Sequence, residues 1–109
     1  MPTTLKVLGQ SKPGAATPAT LYTVPALTTA VCSSIVVCNQ SSAPTSFRVS
    51  VAVAGAVDAP LQYLYYDVAI AGNATFVATL GISLGAGDVV RVYNTLATLS
   101  FNLFGQENS

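Results

Sequence analysis

The punctuation of this chain restricts its fold more than any other feature. No segment offers eleven residues of helical period; instead short apolar and β-branched runs alternate with clusters of Gly, Pro, Asn, Asp and Ser. "TLYTV" stops at Pro25, "TTAVCSSIVVCN" stops in "NQSSAP", and "TSFRVSVAV" stops in "AGAVDAP". "QYLYYDVAI" meets Gly72-Asn73 and "ATFVATLGISL" follows; "GAGD" turns into "DVVRVY", and Asn94-Thr95 turns again. In the last run, "LATLSFNLF", Ala97, Leu99, Phe101 and Leu103 alternate with Thr98, Ser100 and Asn102. Seven or eight strands at short, regular spacing predict an all-β fold, a single antiparallel β-sandwich of jelly-roll or Ig-like type. At 109 residues the chain holds one core, and no long internal repeat points to a solenoid or propeller.

Residues 1–18 contain "SKPGAATPAT", which has neither helical nor alternating period, so they read as an extended N-terminal arm before a sandwich domain at 19–109. Inside the arm "TLKVLG" does alternate. Thr4 to Gln10 can therefore also serve as the first strand of the sandwich, and both readings stand. As an arm, the segment would carry Lys6 and Lys12 to a partner and order only on contact.

Composition bears on the surface. Hydrophobic residues make up 51% of the chain and charged residues 7%, against about 25% charged in an ordinary domain. Contact, rather than charge, must cover part of this molecule. The net charge is zero, and Lys6, Lys12, Arg48 and Arg91 are scattered, so no basic stripe exists for nucleic acid. No run reaches the ~18 apolar residues of a membrane span, and "MPTTLKVLGQ" lacks the pattern of a secretory signal, so the expected compartment is a cytoplasm. Without secretion, Asn39-Gln40-Ser41 and Asn73-Ala74-Thr75 match the glycosylation acceptor only by composition.

Reaction chemistry finds little to use. The chain has no histidine, so a nucleophile would lack its commonest base. Asp58, Asp67 and Asp88 fall in or beside separate turns and strands, and Asp58 and Asp88 read as turn residues bonded to local backbone. "GAGD" lacks the flanking pattern of a phosphate loop. Cys32 and Cys38, the only cysteines, would lie about 20 Å apart in one regular strand, beyond the ~7 Å reach of a disulfide; they read as small buried side chains, with pairing between chains or across a bulge as the alternative. No enzyme, metal or cofactor is expected. Arg48, Arg91 and Asp67 each interrupt an apolar strand, which favours an Arg–Asp pair on a sheet face.

"QYLYYD" crowds three tyrosines into four positions. If Gly72-Asn73 closes a tight hairpin, Ala69 faces Phe76, Asp67 faces Ala78, Tyr65 faces Leu80 and Tyr63 faces Ile82. That face is the core candidate, with Tyr63 and Tyr65 at the core or its rim. Leu64, Tyr66, Val68 and Val77 then share the opposite face, which is apolar as well, so it requires cover from a neighbouring subunit or from the arm. A tyrosine platform for sugar stacking is a third use.

Taken together, "TLYTVPA", "SSIVVCN", "FRVSVAVAGA", "YLYYDVAI", "ATFVATLGISL", "GDVVRVY" and "LSFNLFGQE" resemble short β-sandwich structural proteins of tailed-bacteriophage virions, over roughly Thr20 to Glu107. The resemblance implies a capsid decoration or cement protein that binds the major capsid protein and itself, as a dimer or trimer, in the virion. Its alternative is a tail, fibre or baseplate module that recognises a host receptor or glycan. No catalytic residues carry over.

Overall fold

The computed structural model describes residues 3–109. It contains eight strands: β1 (Thr3–Ser11), β2 (Ala19–Thr23), β3 (Thr29–Asn39), β4 (Thr45–Ala52), β5 (Tyr63–Ile70), β6 (Thr75–Leu84), β7 (Val89–Asn94) and β8 (Leu99–Asn108). Short 3₁₀ turns at Val53–Gly55 and Pro60–Gln62 interrupt the long connection between β4 and β5. Every apolar run of the sequence corresponds to one of these strands. The runs rich in Val, Ile, Thr and aromatics suit a pleated surface whose residues alternate between a packed and a free side.

The strands form two four-stranded antiparallel sheets, in the orders β1-β8-β3-β6 and β2-β7-β4-β5. Their pairing is nested, since β1 joins β8, β2 joins β7, β3 joins β6 and β4 joins β5. The chain is thus one long hairpin of four strand pairs rolled into a sandwich, and this selects the jelly roll over the Ig-like arrangement. Between the sheets Phe47, Phe101, Ile35, Leu99, Leu103, Val37, Val49, Val90 and Val92 are buried almost completely. Leu99, Phe101 and Leu103 alternate into the core as their spacing requires.

Residues 3–11 are the edge strand β1, paired with β8 from Thr3↔Asn108 to Ser11↔Phe101, with Leu8 in the core. The first-strand alternative therefore replaces the free arm. The connection that follows is also held to the sandwich, by Ala16 N–H to the Asn94 carbonyl at 2.9 Å and by Asn94 Nδ2 to the Pro13 carbonyl at 3.2 Å.

At Gly72-Asn73 the structure departs from the expected tight hairpin. A turn does form there, with Ala74 N–H donating to the Ala71 carbonyl at 3.2 Å, yet β5 and β6 belong to opposite sheets and do not pair. Instead the turn is pinned to the neighbouring β3–β4 turn, as Asn73 N–H donates to the Ser41 carbonyl at 2.8 Å. A Cβ on residue 72 would collide with the Ser42 carbonyl, so only glycine fits this corner. Asn39, buried beneath it, donates Nδ2 to the carbonyls of Ala43 and Ala71. The amide of this first acceptor match is thus committed to structure.

Candidate functional site

β5 explains the crowded tyrosines. Along β4 the pairing steps from Phe47 to Val49 while along β5 it steps from Val68 to Tyr65, which leaves an extra residue on β5. Asp67 takes up that bulge at φ 51°. Tyr65 and Val68 consequently both pack against the core. The Tyr65 ring meets Phe76 edge-on at 5.5 Å and Phe47 at 6.4 Å. It therefore faces Phe76 across the sandwich rather than along a hairpin.

Tyr66 and Asp67 lie on the outer side of the same sheet. Arg48 Nε donates to Asp67 Oδ1 at 2.6 Å and Nη2 to Oδ2 at 3.3 Å. The guanidinium lies over the rings of Tyr66 at 4.2 Å and Tyr93 at 4.4 Å, and Tyr63 meets Tyr66 edge-on at 4.9 Å. A planar, weakly hydrated guanidinium suits this position between rings. The Arg–Asp pair expected on a sheet face is present. The surface proposed from the hairpin is not: Val68 points inward, and Val77 is exposed on the other sheet, away from the exposed Leu64 and Tyr66. Lys6 and Lys12 do not act together either, since Lys6 binds Glu107 at 3.2 Å whereas Lys12 lies in the β1–β2 connection, without a carboxylate partner among the described residues.

The remaining carboxylates are occupied by structure. Arg91 Nη1 donates to Asp58 Oδ1 and to the Ala56 carbonyl, both at 2.8 Å. Asp58 is therefore held by an arginine rather than by local backbone. Asp88 does serve the backbone, accepting from Gly85 N–H and, across the sandwich end, from Ala54 N–H, both at 2.9 Å. Among the described residues no group of three or more His, Cys, Asp or Glu side chains could hold a metal ion.

Glu107 links the edges of the two sheets. Tyr22 donates its hydroxyl to Oε2 at 2.6 Å and Lys6 donates to Oε1 at 3.2 Å. The Tyr22 bond, aided by Lys6 and opposed by burial, holds the Glu107 carboxyl below its ordinary value. Burial and the neighbouring carboxylate push the Tyr22 hydroxyl up. A depressed carboxyl stabilises the fold above its unfolded pKa, about 4.3, and that contribution is lost as pH falls through the folded value; a raised phenol stabilises below about 10 and its contribution is lost as pH rises. The melting temperature should therefore decline below about pH 4 and above about pH 10. Glu107→Gln should flatten the acid limb, as calorimetry across pH would measure.

Cys32 and Cys38 are both free. The bulge at Cys32/Ser34 shifts the alternation of β3, so Cys32 is fully buried while Cys38 turns outward and is half-buried. Burial pushes the Cys32 thiol up to about 11, and the thiolate is the reactive form. Native protein should thus titrate one thiol with a disulfide reagent, Cys38, and the second only in denaturant.

The ends of the sandwich differ in kind. One carries the β1–β2, β3–β4, β5–β6 and β7–β8 connections, whose one large aliphatic residue is Leu96. The other gathers residues 24–28, 53–62 and 85–88, locked together by Val24 N–H to the Asp88 carbonyl at 3.0 Å and Gly87 N–H to the Val24 carbonyl at 3.1 Å. Here Gln62 staples its loop, accepting from Ala59 N–H at 3.2 Å and donating to the Val57 carbonyl at 2.9 Å. On these connections stand Leu27 at 92% exposure, Leu61 at 89%, Val57 at 86% and Val53 at 70%, while Leu5, at 78%, stands on β1 beside Val31, Ser33 and Gly105. These are the five most exposed large aliphatic side chains described. Beside them a shallow groove of about 520 Å³ runs between Asp58, Ala59 and Pro60 and the rings of Tyr63 and Tyr66. No protein-family model matches the chain, and no curated protein matches it.

Proposed function

We propose that this chain is a non-enzymatic structural protein of a tailed-phage virion, a capsid decoration or cement protein whose apolar loop end docks on the major capsid protein. The observation that carries the proposal is that four of the five most exposed aliphatic side chains, Leu27, Val53, Val57 and Leu61, stand on the β2–β3 and β4–β5 connections of a neutral molecule whose charges are mostly ion-paired. Rigid loops holding aliphatic side chains in solvent make sense as anchors, because their exposure contributes nothing to the monomer and their burial would stabilise a complex by about 25 cal/mol per Å². The molecule measures 45 × 27 × 19 Å, with the long strands along its length. A tip of that cross-section covers about 500 Å² on each partner, the low end of specific interfaces. Weak single contacts repeated over a shell fit a protein that reinforces by number. The virion resemblance supplies the partner.

Copy number tests this directly. Quantitative mass spectrometry of purified particles should find hundreds of copies per virion; a few to a few tens would place the protein in the tail, and none would end the proposal. The double variant Leu27→Asp, Leu61→Asp should melt like the wild type, since both side chains are exposed, yet lose at least tenfold in cosedimentation with particles, a change of about 1.4 kcal/mol or more. The tail or fibre reading is favoured by one feature, the groove against Tyr63 and Tyr66. It would be supported by glycan binding that Tyr66→Ala removes and the double variant leaves alone.

A further inference from the structure

Two four-stranded sheets leave four edge strands, β1, β6, β2 and β5. An open edge presents unpaired N–H and C=O groups, and proteins commonly guard such edges with charge, proline, a bulge or shortness. Three of the four are guarded along their length: β1 by Lys6 and the irregularity between Val7 and Gly9, β2 by being five residues long with a bulge, and β5 by Asp67 in its left-handed bulge. The fourth, β6, is ten residues long and carries neither charge nor proline. Its one irregularity lies past Thr79, so Thr75 to Thr79 run regularly against Cys38 to Ser34.

The direction of the free groups follows from the ladder. Asn39 N–H donates to the Ala74 carbonyl at 2.9 Å, and in an antiparallel pair bonded and non-bonded residues alternate. Phe76 and Ala78 therefore direct their backbone groups to β3. Thr75, Val77 and Thr79 direct theirs outward, with Val77 64% exposed. The stretch is also symmetric in kind about Val77: threonine, an inward apolar residue, valine, an inward apolar residue, threonine.

We propose that the β6 edge is a self-association site at which two copies pair antiparallel across a two-fold axis through Val77. Val77 then exchanges both backbone hydrogen bonds with its symmetry mate, and Thr75 does so with Thr79 of the partner subunit on either side. On the outer face valine meets valine and threonine meets threonine, pairs that favour strand association. The absence of charge removes the means by which a different, charged strand would be selected. A single patch that is its own complement is what an isologous dimer requires. The pairing joins the two sheets that contain β6 into one continuous eight-stranded sheet. Because the strands run oppositely, the two loop ends face away from each other. The inference does not depend on what those loop ends bind.

Sedimentation velocity over a concentration series tests it. The contact is smaller than the roughly 1,200 Å² of stable interfaces, so the wild type should pass from monomer to dimer as concentration rises. Val77→Lys places two like charges opposite each other at the axis and should leave a monomer at every concentration, with the melting curve of the dilute wild type because the side chain is exposed. Val77→Glu alone should behave the same way, while an equimolar mixture of the two variants should form a heterodimer. A wild type that stays monomeric, a dimer that survives Val77→Lys, or a mixture of variants that fails to associate would each overturn the proposal.

Discussion

Phe47→Ala should lower the stability of the sandwich by about 3–5 kcal/mol, the range for emptying an aromatic site in a packed core. Phe47 is fully buried on β4, an interior strand between β7 and β5. Its ring meets Phe76 at 5.1 Å, Phe101 at 6.1 Å and Tyr65 at 6.4 Å. Three neighbouring rings from both sheets thus lose one common partner. They cannot collapse inward together, because Phe101 is fixed by the central strand β8 and Tyr65 by the bulge at Asp67. A small domain has only about 5–15 kcal/mol in hand, so a large share of its stability goes. Phe47→Leu, which retains most of the volume, should cost less than half as much. Urea unfolding of the two variants checks both the magnitude and the order; equal midpoints for Phe47→Ala and the wild type would contradict this account of the core.

Deleting residues 1–11 should have an effect of similar size, and it separates a strand from an arm. The deletion strips the β1 ladder from β8, uncovers the site of Leu8 and removes Lys6 from Glu107. Burying a leucine side chain contributes roughly 2 kcal/mol and each ladder hydrogen bond about 1 kcal/mol, before the entropy of ordering the segment is subtracted. The net loss should be about 3 kcal/mol or more, and β8 becomes an open edge prone to association. Circular dichroism with chemical denaturation reads the result. A truncated protein with the full midpoint of the intact chain would make β1 dispensable.

The strand positions were legible because hydrophobic alternation and turn residues both marked them, and Leu99, Phe101 and Leu103 face inward as their spacing required. The Arg–Asp pair was legible for a related reason, since a charged residue in an apolar strand needs a partner on its own face. Pairing was not. Gly72-Asn73 signals a tight reversal, but a reversal within one sheet and a crossing between two sheets make the same demand on those residues. Tyr65 and Phe76 face the core under either arrangement, which let a wrong register predict a correct side. Val68 and Cys38 were misplaced by bulges, and a bulge adds a residue without a distinctive sequence mark; aspartate at position 67 tolerates a positive φ, but this is a weak signal. The exposed aliphatic loops do leave a trace in the sequence. Leu27 and Leu61 follow prolines closely, and Val57 sits among turn residues, where no strand alternation can carry a side chain into a core.

The nested pairing also sets an order of events during synthesis. β8 emerges after the other seven strands of the sandwich, yet it occupies the interior of its sheet, between β1 and β3. Until it arrives β1 has no strand beside it within that sheet, and β3 has only β6. β1 therefore waits for β8, and closing so long a loop is slow compared with joining neighbours. A nascent chain stalled before residue 99 would hold β1 and one edge of β3 unpaired in the open, where chaperones, proteases and other nascent chains compete for them.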